Sequence, residues 1–276
     1  MISAAPSAYP FAGIPSLEDF TVVQIEIWLL VLVRVSVMVF LLPIITTDDV
    51  PTRFRAGMSF FLSIILFPAL PAESVVIPSS VPAYTLLALR ELYIGAVMGF
   101  AGTFVFAGLR FAGSWIDGET GFNMMQIINP IAQEEDTPLG HLIFILFILV
   151  LLSTGGYVFY LRAIAESFQV IPLASANAAS GAMVQIFARM SADAFLLGVK
   201  VASPVVGTLF VSSIALAMIA RIMPQMNVWL VGMPMKIAVG TLTTIFALPL
   251  MLEAFLKEQE SIHGYWIALM HVMGNT

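Results

Sequence analysis

Eight charged residues stand inside otherwise apolar stretches of this chain: Glu26, Arg34, Arg90, Glu91, Arg189, Asp193, Lys200 and Lys236. A charge at the centre of a membrane helix costs about 2.5–3.5 kcal/mol even on the lenient insertion scale, so each must face protein or water rather than lipid. Groups placed in this way support one of two kinds of chemistry. In a secondary transporter they bind ions and a solute at broken helices near the midplane. In one subunit of a larger conduit they pair with other subunits or line an aqueous path. Arg189, Asp193 and Lys200 lie at spacings of four and seven, share one helix face, and are expected to form a compensated set or to meet partners on another subunit. Glu26 and Arg34 are eight residues apart and fall roughly on one face.

Other candidate chemistry is weaker. Glu134, Glu135 and Asp136 offer oxygen atoms suited to Ca²⁺ or Mg²⁺. Adjacent side chains seldom converge, no further ligand is spaced to complete a shell, and the run reads as a solvated loop. His141, His263 and His271 are far apart in sequence. There is no His-Glu-x-x-His, no Gly-x-Ser-x-Gly and no phosphate-binding glycine loop. The reading is of a protein that is not an enzyme and carries no cofactor or metal.

The elements that must position the charges are membrane helices. The chain has 276 residues, of which 60% are hydrophobic and 10% charged, with a mean hydropathy of +0.99. Soluble domains carry about 25% charged residues. The fold class read from this is all-α: a membrane-associated protein of about six hydrophobic helices. A net charge of −6 without a Lys/Arg cluster argues against nucleic acid. The absence of cysteine removes disulfides and thiolate sites. No basic region precedes the first apolar run, so no cleavable signal peptide is expected.

Residues 1–20, with Pro6, Pro10, Gly13 and Pro15, read as a loose tail, followed by a first apolar segment over 22–45 whose helix ends at Pro43. Pro51 opens a second, short helix, and Pro68 and Pro71 curtail it. A third helix carries Arg90 and Glu91 and a stripe of small residues, Gly95, Gly99, Thr103 and Ala107, on which another helix can pack closely. The hydropathy breaks over residues 110–138, punctuated by Gly113, Gly118 and Gly121. Residues 139–161 then form the cleanest expected span, about 34 Å long. Residues 162–180 read as a mixed loop. A long fifth helix runs to about Met223, with Pro204 as a kink, and a sixth covers residues 228–256. Ile262, Trp266, Met270 and Met273 recur at helical spacing on a half-polar tail suited to an interface or a partner groove. Between the last two helices, Pro224 stops one, and Gln225 and Asn227 can satisfy open backbone groups at the two ends. Gly232, Pro234 and Lys236 fall in the first turns that follow.

That last stretch, Met-Pro-Gln-x-Asn-x-x-x-x-Gly-x-Pro-x-Lys over residues 223–236, resembles the C-terminal signature of the FliR family, the export-gate subunits of type III secretion. Arg90-Glu91-x-x-Ile94-Gly95-x-x-x-Gly99 resembles the family's third helix. Arg110-x-x-Gly113, Gly121-Phe122 and Asn129-Pro130 resemble its central glycine-rich segment. The resemblance spans about residues 25–256 without a large insertion. Asn129 stands where the family often has Asp, and Glu119 where it is usually uncharged.

The resemblance implies a single export-gate subunit over residues 1–276, with a FliP-like part over 21–176, a FliQ-like hairpin over 177–258 and an amphipathic tail over 259–276. It implies helical hairpins within a hetero-oligomeric assembly with FliP and FliQ, beside FlhB and FlhA, in the bacterial inner membrane at the flagellar basal body. The assembly would pass unfolded flagellar proteins. Arg110, Phe111, Gly113, Trp115, Ile116, Gly118, Gly121 and Phe122 would form a plug closing the channel, with Arg110 a candidate partner for Glu119. The Met-Pro-Gln-Met-Asn wording favours the flagellar system over its injectisome counterpart.

Overall fold

The computed structural model describes residues 22–42, 50–70, 77–78, 80–122, 138–173, 181–225 and 227–274, and among these there are helices and no strands. The helices are α1 (Val22–Leu41), α2 (Thr52–Leu66), α3 (Val81–Thr120), α4 (Pro138–Ser153), α5 (Tyr157–Val170), α6 (Gly181–Ile222) and α7 (Val228–Gly274). A short 3₁₀ turn at Phe67–Ala69 holds Pro68 and closes α2. Among the described residues α1, α3, α6 and α7 are long and apolar enough to cross a membrane, and α4 with α5 makes a fifth span if the pair is counted as one. At 1.5 Å per residue the 40, 42 and 47 residues of α3, α6 and α7 run about 60–70 Å, twice a hydrocarbon core of about 30 Å.

The chain forms two compact units. One comprises Met1–Phe100, Arg162–Ala179 and Met270–Thr276, the other Ala101–Leu161 and Ser180–Leu269. In the first, α2 packs on α1, with Trp28 edge-on to Phe60 at 5.4 Å. α3 runs parallel to α1. Tyr84 donates to the Glu26 carbonyl at 2.9 Å, and a Cβ on Gly95 would stand 2.7 Å from the Arg34 carbonyl oxygen. Further along, a Cβ on Gly99 would stand 2.8 Å from that of Leu41. Glycines at 95 and 99 are thus what lets the two backbones meet, and the face they make is used inside the chain.

In the second unit the later turns of α3 lie parallel to α6, where Phe104 meets Phe187 and Gly108 abuts the Ala194 carbonyl. They lie antiparallel to α4, where Gly113 faces Gly140 and Phe106 meets Phe144 at 5.9 Å. α6 and α7 form the expected hairpin. Leu216 fills the space over Gly232, and Leu209 that over Gly240.

Four sequence expectations are corrected. The break in hydropathy at residue 110 is not a break in structure, since α3 continues to Thr120. The 139–161 span is broken, because α4 and α5 meet at 68°. Gly155 adopts φ +72° there, and the Gly156 amide turns back to the Leu151 carbonyl at 2.8 Å, a helix-ending pattern that only glycine adopts without strain. Hydropathy is blind to it. α5 then continues to Val170, through half of the expected loop. The tail after residue 258 is no separate piece either: α7 is unbroken to Gly274, with Pro234 and Pro249 inside it. Its apolar face is covered by the chain itself, with Ile262, Trp266, Met270 and Met273 all buried.

Because Gly99 packs within the chain, Gly99→Leu should part α1 from α3, at a cost of about 1–3 kcal/mol or more. The expected outcome is a chain that accumulates poorly in membranes and is cut readily by protease between these helices. Gly57→Leu, whose added Cβ would meet nothing within 4 Å, should behave as the parent.

Candidate functional site

The segment 110–122 is the last three turns of α3 and the turn that ends it. A helix repeats every 3.6 residues, so Phe106, Arg110, Gly113 and Asp117 share one face. That face meets α4: the Arg110 guanidinium lies 4.9 Å from the centre of the Phe144 ring, and Gly113 stands against Gly140. Ala112, Ile116 and Thr120 are buried, with Thr120 against Gly240 of α7. Phe111, Trp115 and Gly118 lie on the opposite, exposed face. Phe111 packs on Trp115 at 5.8 Å and on Phe195 of α6 at 5.1 Å. Gly198 gives Phe111 room, since a Cβ there would stand 2.5 Å from the ring. Gly121, at φ +92°, ends the helix, and Phe122 follows half-buried.

Gly113 serves the close approach that a glycine permits, within a helix that does not turn there. One expectation for this segment changes. Arg110 is not the partner of Glu119: nine residues apart on one helix, they point about 180° from each other and stand about 13 Å apart along the axis. The bulk expected at a constriction is divided, with Ile116 inside and Phe111 and Trp115 outside.

Asp117, which sequence reasoning passed over, is fully buried. Its Oδ1 accepts from the Leu139 amide at 3.3 Å and its Oδ2 from the Gly140 amide at 2.5 Å. It therefore caps α4 from 22 and 23 residues away. Capping rules examine only the residues just before a helix, so the one available signal was an aspartate four residues after Gly113 on the same face.

The expected buried charges separate into three groups. Glu91 is fully buried and accepts from Nε of the equally buried Arg34 at 2.5 Å. Nη1 of Arg34 donates to the carbonyls of Ser167 (3.0 Å) and Ile171 (2.9 Å), capping the C-terminal end of α5 with a positive charge. The Phe168 ring covers its guanidinium at 4.3 Å. Asp193 is half-buried and accepts from the Tyr265 hydroxyl of α7, a partner 72 residues away that helical spacing could not supply. Arg90, Arg189 and Lys200 are exposed on this chain, and Lys236 is half-buried. Arg90 and Glu91 differ because neighbours on a helix point about 100° apart.

In the hairpin, Pro224 and Gln225 are exposed in the turn. Asn227 Oδ1 accepts from the Leu230 amide at 3.4 Å, capping the start of α7 as expected. Gly232 is buried under Leu216, while Pro234 is exposed and is carried within the helix without ending it. The Glu134–Asp136 run and Asn129-Pro130 lie outside the described residues.

Long apolar helices packed through glycine, with a buried ion pair and a tertiary helix cap, define the class: an all-α protein embedded in a membrane. The chain matches the family described as bacterial export proteins, family 1, over residues 25–262, and it belongs to that family. It is similar to the flagellar biosynthetic protein FliR of Bacillus subtilis (strain 168), 31% identical over 79% of this chain and 84% of that protein. It is also similar to FliR of Escherichia coli (strain K12), 26% identical over 79% and 83% of the two chains. The Yop proteins translocation protein T of Yersinia pestis is 29% identical over 69% and 73%.

Glu91→Leu would leave Arg34 buried and unpaired, and is expected to lower stability by about 3–5 kcal/mol. Arg34→Leu/Glu91→Leu should cost less, since no bare charge remains. Thermal unfolding followed by circular dichroism in detergent will order the two variants.

Proposed function

We propose that this chain is a core subunit of the flagellar type III protein export gate, forming with FliP and FliQ the closed channel through which unfolded flagellar proteins cross the inner membrane. FlhB and FlhA would stand beside it at the basal body. The observation that carries this reading is the likeness to flagellar relatives over about four-fifths of both chains, with the hairpin residues Pro224, Gln225, Asn227, Gly232, Pro234 and Lys236 all present. The surface supports it. Phe210, Val211, Ile214, Leu242, Ile245, Phe246 and Leu250 are exposed on helices about twice as long as a bilayer core is thick, so part of that apolar surface needs protein as its solvent. The exposed Arg189 and Lys200 on α6 suit contact with other chains or water and not with lipid. An injectisome role is the second reading, favoured by the likeness to the Yersinia protein.

Within this reading the segment 110–122 closes the channel, and Phe111 and Trp115 supply its apolar bulk. A path wide enough for an unfolded chain would otherwise leak ions. Nothing in this role is catalytic.

Disruption of the gene in its native bacterium should abolish swimming and the export of flagellar proteins, and tagged protein from native membranes should bring FliP and FliQ with it. Loss of virulence-protein secretion with swimming intact would move the chain to the injectisome. Phe111→Ala/Trp115→Ala, which removes two rings from the exposed face of α3 together with the packing of Phe111 on Phe195, should leave the complex assembled and raise membrane conductance to small ions. An assembled and equally tight complex would remove these rings from the closure.

A further inference from the structure

We propose that Asp117 is the positioning residue of the closure, a single side chain that fixes the last turns of α3 against the first turn of α4. The proposal rests on the reading of segment 110–122 as the closure. Asp117 is the point at which three pieces of backbone are joined. Its carbonyl accepts from the amides of Gly121 and Phe122, both at 3.1 Å, and from the Thr120 hydroxyl at 3.0 Å, which together finish α3. Its carboxylate accepts from the Leu139 and Gly140 amides, which begin α4. The chain therefore leaves for residue 123 and returns at residue 138 at one buried aspartate.

The chemistry favours a lock. A carboxylate at a helix N-terminus receives charge-assisted bonds from amides that have no partner within the helix, and the helix dipole adds to them. Burial removes the competing water, which strengthens the bonds and makes their loss more damaging. Gly113, one turn earlier, is the second part of the device, because only without a side chain there can α4 come close enough for its amides to reach the carboxylate. Phe111 and Trp115 project from the opposite side of the same turns. Where those rings stand is therefore set by how the end of α3 is held, by the contact of Phe111 with α6 on one side and by Asp117 on the other.

The test compares Asp117→Ala, Asp117→Asn and Phe111→Ala/Trp115→Ala in the full complex, reading assembly by co-purification and closure by membrane conductance. Bonds to a charged group are each worth a factor of about ten or more in an equilibrium. Asp117→Ala should therefore assemble and raise ion conductance at least about tenfold. Asp117→Asn keeps one acceptor and should lie between it and the parent in conductance at unchanged assembly, a graded leak that a purely structural role would not give. An Asp117→Ala complex as tight as the parent, beside a leaky aromatic variant, overturns the proposal alone. Tightness in both overturns the closure reading as well. Failure of both Asp117 variants to assemble, while the aromatic variant assembles, makes Asp117 a folding residue and also overturns it.

Discussion

The constraint on which the rest of this structure depends is that backbones must touch. Inside a bilayer, lipid tails are as apolar as leucine, so helices gain little by leaving lipid for each other and associate through close packing and hydrogen bonds. α3 meets this constraint four times: at Gly95 and Gly99 it lies on α1, at Gly108 on α6, and at Gly113 on α4. Each contact brings a glycine within side-chain thickness of another helix's backbone or Cβ atom. A shift of α3 by one residue would put Arg90 or Phe100 where a glycine or a core residue had been. The register of α3 is thus specified by where side chains are missing as much as by where they are present.

Charge follows from that register. Once α3 is placed, Glu91 must point inward to Arg34 and Arg90 must point away. The Arg34–Glu91 pair is taken inside and satisfies a helix end, while Arg90, Arg189 and Lys200 stand on the surface of this chain. An assembly of such helices, as proposed for this chain, has protein and water there to receive them.

Much of this was legible in the sequence, and the failures share one cause. Helix identities, the hairpin at Pro224 and the small-residue face at Gly95 and Gly99 are local or periodic signals, and the structure follows them. Periodicity and hydropathy see neither the direction of a bend nor a partner far along the chain. Gly155 and Gly156 turn the chain through 68° inside a stretch that hydropathy reads as one span. Conversely, the break in hydropathy after residue 110 falls on a stretch that stays helical to Thr120, with Gly113 used for packing and Gly118 exposed. Asp117 with Gly140, Asp193 with Tyr265 and Arg34 with Ser167 are pairs separated by 23, 72 and 133 residues. Spacing within one helix could nominate such residues as polar groups out of place, as it did for Arg34 and Asp193, but it could not name their partners.

The same long separations set an order of events during synthesis. Arg34 leaves the ribosome 57 residues before Glu91, and 133 before Ser167. At roughly 5–20 residues per second, the first interval is about 3–11 s. Throughout it, α1 carries a cation in the middle of its apolar length, with Glu26 about 12 Å away along the helix and no carboxylate in contact. Until α3 arrives, the insertion of α1 is weakened by the cost of an uncompensated charge, about 2.5–3.5 kcal/mol. A chain stalled before residue 91 should therefore be far easier to extract from the membrane than one stalled just after α3 is complete, although α1 is identical in both.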